Sequence, residues 1–220
     1  MPRKIDPGLI PPRPNLQFEQ ALWDQGLIRI AGIDEAGRGC LAGPVAAAAV
    51  ILPSRAEVQV ELDGVLDSKA LTPTRRQKLR KAIEEAALCW SVGFAPPEEI
   101  DRFGILPATR KAIQRSLAEL SDPPDHLLVD YLILTEDLRP QTRLVKGDQR
   151  SLSIAAASIL AKTHRDQQMI SLHQSYPCYD WKNNKGYGTA SHRESIREHG
   201  PSPHHRMSFA PLNKLSSSEH

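Results

Sequence analysis

The sequence predicts an α/β fold, a mixed β-sheet flanked by helices with a helical C-terminal portion. Three observations point there. Short apolar runs bounded by Gly and Pro alternate with longer, charged, helix-forming stretches. The runs come first and the helices interleave later, as in a sheet covered by helices. The chain has 220 residues, 40% of them hydrophobic, which suffices for one sizeable core, and it shows no internal repeat or low-complexity linker.

The elements follow in order. Residues 1–17 hold Pro2, Pro7, Pro11, Pro12 and Pro14 and read as an extended arm ahead of a catalytic domain over 18–212. Residues 213–220 read as a polar tail. The apolar runs 27–33 and 45–52 read as two strands, joined through Gly37, Gly39, Gly43 and Pro44 as a hairpin-like pair. Thr72 followed by Pro73 supplies a helix N-cap and first turn, with the helix running to about 87. A strand over 89–94 precedes helices over 96–102 and 107–120, the second with Ile113, Leu117 and Leu120 on one face. Residues 126–134 read as an apolar strand and 142–145 as a short one. The last long element is a helix over 152–173, whose Ala155, Ala156, Ala157 and Ser158 permit close approach to a sheet.

Composition excludes several classes. No run approaches the roughly 18 apolar residues of a membrane span. Cys40, Cys89 and Cys178 are far apart and lack metal-ligand spacing, which disfavours a disulfide framework or a zinc site and fits a reducing, cytoplasmic setting. The net charge of +2 disfavours a grossly basic nucleic-acid binder. That total hides an asymmetry: residues 1–140 carry 17 basic and 20 acidic side chains, residues 141–220 carry 11 and 6. Placed on one face, that late excess suits a phosphate backbone, although an ordinary solvated surface accounts for it equally well.

Four carboxylates have neighbours wrong for them. Asp34 and Glu35 close the first apolar run, either leaving into solvent or facing a site. Asp130 interrupts Leu127–Val129 and Tyr131–Ile133, where an unpaired charge would cost several kcal/mol. A structural ion pair is its alternative role. Asp148 follows a short strand in the turn Lys146-Gly147-Asp148. Carboxylates delivered by three strand ends, without a His/Cys cluster, favour a hard cation such as Mg²⁺ or Mn²⁺. That arrangement is what two-metal phosphodiester hydrolysis requires: neutralised phosphate charge, an acidified water and a stabilised leaving oxygen. Adjacent strand residues point to opposite faces, so Asp34 and Glu35 share a site only if the strand twists or ends there.

The stretch Gly32-Ile33-Asp34-Glu35-Ala36-Gly37-Arg38-Gly39, followed by Leu41-Ala42-Gly43-Pro44-Val45, resembles the signature of type 2 ribonuclease H, ribonuclease HII. So do Asp67-Ser68-Lys69, Val129-Asp130, Val145-Lys146-Gly147-Asp148, Ser153 to Lys162 with Arg165-Asp166, Lys185-Gly186-Tyr187-Gly188-Thr189, and His205-Arg206 with Ser208-Phe209. The resemblance spans about residues 30–210 in family order. It implies a ribonuclease H-like fold and endonucleolytic cleavage of the RNA strand of RNA–DNA hybrids. It also implies incision 5′ of single ribonucleotides in duplex DNA, 5′-phosphate and 3′-hydroxyl products, and a part in ribonucleotide excision repair. Mn²⁺ or Mg²⁺ is the implied cofactor, with Asp34, Glu35, Asp130 and Asp148 as catalytic metal ligands. Gly37, Arg38, Gly39, Lys69, Lys185 and Tyr187 are the implied substrate contacts, the glycine loop reading the 2′-hydroxyl and Tyr187 the ribose at the junction. The 2′-hydroxyl is what distinguishes RNA from DNA at one position. Cys40 stands where proline is common, and Tyr131 where glycine is usual.

Lys162, Arg165, Lys182, Lys185 and the His204-His205-Arg206 cluster are expected to line duplex phosphates, and Asp166 to pair with Lys162 rather than bind metal. The chain is expected to act as a monomer, without a membrane. The alternative is a non-catalytic hybrid-binding module of the same fold.

Overall fold

The computed structural model describes residues 5–214. Among them lie a five-stranded sheet and eight α-helices. In chain order these are α1 (Gln17–Trp23), β1 (Ile30–Ala36), β2 (Val45–Ile51), α2 (Val58–Glu61), α3 (Pro73–Ala86), β3 (Cys89–Ala95), α4 (Pro97–Phe103) and α5 (Ile105–Ala118). There follow β4 (His126–Asp130), β5 (Gln141–Leu144), α6 (Leu152–Ser175), α7 (Trp181–Asn184) and α8 (Ala190–His199). The sheet order is β3-β2-β1-β4-β5. The first two strands form the expected antiparallel pair, Ala36 opposite Ala46, whereas β1, β4 and β5 run parallel.

Side-chain alternation assigns the two faces. Ala31, Ile33, Ala47, Ala49, Leu127 and Val129 pack with Ala112, Ile113 and Leu117 of α5. The opposite face carries Ala36, Ala48 and Val50 beneath Ala155, Ile159 and Leu160 of α6. The alanine-rich β2 is buried throughout, so helices can approach it closely from both sides. At Gly32 the approach is extreme: a Cβ there would lie 2.2 Å from the backbone carbon of Ser153, so α6 crosses β1 on a bare backbone.

Several boundaries depart from the sequence expectation. The strand expected over 27–33 begins at Ile30 and continues to Ala36, because β2 pairs with it to the end. The strand expected over 126–134 stops at Asp130, since Tyr131 adopts φ 57 and turns the chain while its N–H donates to the Leu144 carbonyl at 2.8 Å. A left-handed residue suits glycine, so Tyr131 holds a turn at a cost of about 1 kcal/mol. Helices α1 and α2 have no counterpart in the sequence reading, whereas α7 and α8 belong to the expected helical C-terminal portion without having been placed one by one.

The proline-rich segment is not a free arm at its far end. Pro14 and Leu16 are buried, Asn15 bridges to Ser151, and Arg13 pairs with Asp63 at 2.8 Å. The expected boundary at 17 therefore falls where α1 begins, and Phe18, Leu22 and Trp23 close over Ile30, Leu128 and Ile154. Most of the tail expected over 213–220 lies outside the described residues.

Helix α1 also presents Glu19, 1% exposed, to the start of α6. Its Oε1 accepts from the Ser151 hydroxyl (2.6 Å), the Ser153 hydroxyl (2.6 Å) and the Ser153 N–H (3.0 Å). Burial raises its pKa, the serine hydrogen bonds opposing that shift. Glu19→Ala leaves three buried donors without their acceptor and is expected to destabilise the fold by about 2 kcal/mol. Glu19→Gln keeps an acceptor oxygen and should lose less; urea denaturation of the three proteins makes the comparison.

Candidate active site

Parallel pairing sets the site. Ile33 lies beside Val129, so the following residues, Asp34 and Asp130, emerge side by side on the face covered by α6. Asp148 joins them from the short turn Gly147–Gln149 after β5. Carboxylate oxygens of Asp34, Asp130 and Asp148 lie within 4.8 Å of one another, forming the one such cluster among the described residues. The Gly147 N–H donates to Asp130 Oδ1 at 2.7 Å, and the Glu35 N–H to Asp34 Oδ1 at 2.7 Å.

The electrostatics describe a site short of cations. Burial, then the charges of Glu35, Asp130 and Asp148, hold the Asp34 carboxyl well above its ordinary pKa, with the Ser158 hydroxyl partly offsetting them. Burial is also the main cause that lifts Asp130 and Asp148, each to about 6. Lys69 is pulled down by burial, but Asp67, Asp34, Asp148 and Asp130 outweigh that and raise its pKa. Three clustered carboxylates with all-oxygen donors fit a hard divalent cation.

Glu35 lies outside this 4.8 Å group but beside it: its charge is the first among the neighbouring charges to raise both Asp34 and Asp130. Its Oε1 accepts from Arg38 Nη1 at 2.8 Å. It lines a cavity of about 250 Å³ together with Gly37, Arg38, Gly39, Lys69, Tyr187 and Ser158, the last of which also hydrogen-bonds Asp34. Thus the structure brings three of the four expected ligands together, and sets the fourth beside the expected substrate contacts. Lys185 and Tyr187 line an adjoining cavity of about 340 Å³ with Arg76, Lys162 and Asp166. Asp166 pairs with Lys162 at 2.7 Å, as the helical spacing predicts.

Part of the expected phosphate-binding surface is instead internal. Arg165 is fully buried and donates to the carbonyls of Pro44 (2.8 Å), Lys185 (2.9 Å) and Ala42 (3.0 Å). Arg206, also fully buried, donates to the carbonyls of Gly43 (3.0 Å) and Arg38 (2.9 Å). His205 is only 2% exposed. These three residues cannot line a duplex. The arginines staple the glycine loop to the segment carrying Tyr187, and a Cβ at Gly37 (φ 91) would lie 1.9 Å from Arg165 Nε. Sequence reading missed this because a buried and an exposed arginine look alike. The nearby carbonyl-rich glycine turns were the available signal.

Arg206→Met removes both donated hydrogen bonds and frees the Arg38 carbonyl. A loss of about tenfold to a hundredfold in cleavage is expected, since roughly 1 Å of misplacement at a reacting centre has that scale of effect; single-turnover kinetics read it.

Comparison with known proteins gives a consistent picture. The family model for Ribonuclease HII matches residues 31–212. A ribonuclease HII of Roseiflexus castenholzii is 54% identical over 200 residues, covering 90% of this chain and 89% of its own. One from a Synechococcus strain is 50% identical over 207 residues, covering 94% and 93%. Among solved structures, the ribonuclease HII of Archaeoglobus fulgidus, determined in complex with PCNA, is 26% identical with a TM-score of 0.70, covering 83% of this chain and 95% of its own. The ribonuclease H2 of Pyrococcus horikoshii superposes with a TM-score of 0.73 at 24% identity, covering 86% and 98%, a likeness of fold.

Proposed function

The chain belongs to the ribonuclease HII family and is a ribonuclease H, a hydrolase, and from that premise we propose that it incises 5′ of single ribonucleotides in duplex DNA as well as cutting the RNA strand of RNA–DNA hybrids, leaving 5′-phosphate and 3′-hydroxyl ends. The observation that carries this is the adjacency of the carboxylate triad to a cavity walled by Gly37, Arg38, Gly39 and Tyr187. A cutting site and a place to examine one sugar share an edge.

Asp34, Asp130 and Asp148 would hold Mg²⁺ or Mn²⁺ together with Glu35, whose charge already bears on Asp34 and Asp130. The bound cations supply Lewis-acid stabilisation of phosphate charge and an acidified water. The chain does the rest. The stapled glycine loop offers backbone groups at close range to a 2′-hydroxyl. Tyr187, 41% exposed, offers a ring face to the ribose, with Lys162 Nζ 5.4 Å from its centre. Lys69 and Lys185 border the two cavities where the strand's phosphates would run. Cys40, Cys89 and Cys178 are all free, which supports a cytoplasmic setting. No helix of the described residues is long and apolar enough to cross a membrane.

The test is cleavage of a duplex with one embedded ribonucleotide against an all-DNA control, with and without EDTA. Incision of the first alone, abolished by EDTA, is the expected result; cutting of both, or of neither while a long hybrid is cut, overturns the reading. Tyr187→Ala sharpens it. A ring-face contact is worth roughly 1–3 kcal/mol, so a loss of about tenfold to a hundredfold is expected on the embedded ribonucleotide. Long hybrids should be cut nearly as well as before, and an equal loss on them would remove Tyr187 from the junction.

A further inference from the structure

Behind Tyr187 lies a pair of buried imidazoles that the chemistry above does not use. His192, fully buried near the start of α8, has Nδ1 2.9 Å from the Tyr187 carbonyl oxygen. A carbonyl only accepts, so Nδ1 carries the proton and Nε2 presents a lone pair. That lone pair receives the Trp181 indole N–H at 3.0 Å and faces His205 Nε2 at 3.2 Å. His205 Nδ1 accepts from the Ser202 N–H at 2.9 Å, so its proton sits on Nε2 and points at His192. The chain of hydrogen bonds therefore has one consistent direction: from Ser202 through His205 and His192 to the Tyr187 carbonyl. Burial holds His205 down to about 4 and pulls His192 below its usual range, so both rings stay neutral.

The receiving end needs this support. Tyr187 follows Lys185 and Gly186, both in the left-handed region at φ 53 and φ 82. Its carbonyl accepts from just one other described donor, the Thr189 N–H at 2.8 Å. Packing keeps the relay in place: His205 lies edge-on to Tyr179, ring centres 4.7 Å apart, and Trp181 is fully buried.

We propose that His192, oriented by His205, is a positioning residue that fixes the Tyr187 carbonyl and thereby sets the ring against the glycine loop for recognition of a single ribose. This rests on the reading of Tyr187 as the junction contact. His192 touches no substrate; it acts through the backbone of Tyr187.

Two amide substitutions separate its two bonds. In His192→Asn the amide nitrogen takes the place of Nδ1 and still donates to Tyr187. In His192→Gln the amide reaches the Nε2 position, keeping an acceptor for Trp181 and losing the donor to Tyr187. The expected result for His192→Gln is a fall of about tenfold on the embedded ribonucleotide with less than about threefold on a long hybrid. His192→Asn should stay within about threefold of wild type on both. Hydrogen exchange at the Thr189 amide should quicken about tenfold in His192→Gln and not in His192→Asn. Equal losses on both substrates, or two amides that behave alike, overturn the proposal. If Tyr187→Ala itself shows no substrate-selective loss, the junction reading fails; Thr189 exchange then decides the positioning separately, and unchanged exchange in His192→Gln overturns that too. Should His192→Gln not fold, His205→Leu removes the support of His192 without touching Tyr187, and an unchanged ratio between the substrates in it also overturns the proposal.

Discussion

Asp34→Asn is expected to slow cleavage of an RNA–DNA hybrid by about a thousandfold or more while hybrid affinity changes by less than about threefold. The substitution preserves shape. An asparagine oxygen still accepts from the Glu35 N–H, and the side chain still fits beneath Ser158. What disappears is one negative charge from a cluster whose oxygens lie within 4.8 Å of one another. A cation held by two carboxylates instead of three stabilises developing phosphate charge less well, and several kcal/mol there translate into three or more decades of rate. On the reading proposed above, substrate binding draws on other groups, chiefly the glycine loop, Tyr187 and the flanking lysines. Removing an anion near a phosphate backbone, if anything, favours association. Single-turnover cleavage together with fluorescence anisotropy at fixed salt separates the two quantities. Retained activity in Asp34→Asn would refute the metal-site assignment, and the same holds for Asp130→Asn. Loss of binding in parallel with cleavage would instead make Asp34 a structural residue.

How much of this was readable before folding depends on the kind of signal. The carboxylates were legible because burial of charge is costly, and LIRIAGI and HLLVDYLIL each place an acid against apolar neighbours. Their convergence was legible only in outline. Parallel pairing of β1 with β4 is a long-range fact, and it explains why Asp34 and Asp130 emerge side by side. The mark of the left-handed turn at Tyr131 is that glycine is usual there; the apolar run Leu132-Ile133-Leu134 outweighed it, so β4 was read four residues too long. The basic C-terminal stretch misled in a different way. Composition counts charges but not directions, and Arg165 and Arg206 spend theirs on backbone carbonyls inside the protein. His205 looked like a surface histidine and is part of a buried relay. Lys69, Lys162 and Lys185, by contrast, line the two cavities.

The same carboxylates should make the metal-free protein less stable as pH rises, and Asp130→Asn should lessen that slope. Asp130 and Asp148 titrate at about 6 in the fold against an ordinary value of 3.8, and Asp34 is raised as well. The folded chain thus binds protons more tightly than the unfolded chain. Stability from these groups is fully present below about pH 4 and is lost as pH rises through about 6. A shift of one pKa unit corresponds to 1.36 kcal/mol, and the coupled groups do not add, so roughly 2–3 kcal/mol is at stake for one carboxylate. Other carboxylates pull the opposite way: Arg29 holds Asp125 low and Arg115 holds Glu99 low, each through a hydrogen bond. The informative quantity is therefore the difference between variant and wild type at each pH. In EDTA, Asp130→Asn is expected to match wild type near pH 4 and to melt about 4–10 °C higher at pH 8. Millimolar Mn²⁺ should reverse that order at pH 8, because wild type gains binding free energy that the variant has largely given up. Parallel melting curves at every pH would mean that Asp130 is relieved by some neighbour other than a cation. A wild-type protein indifferent to Mn²⁺ would leave the triad without the ligand its charge calls for.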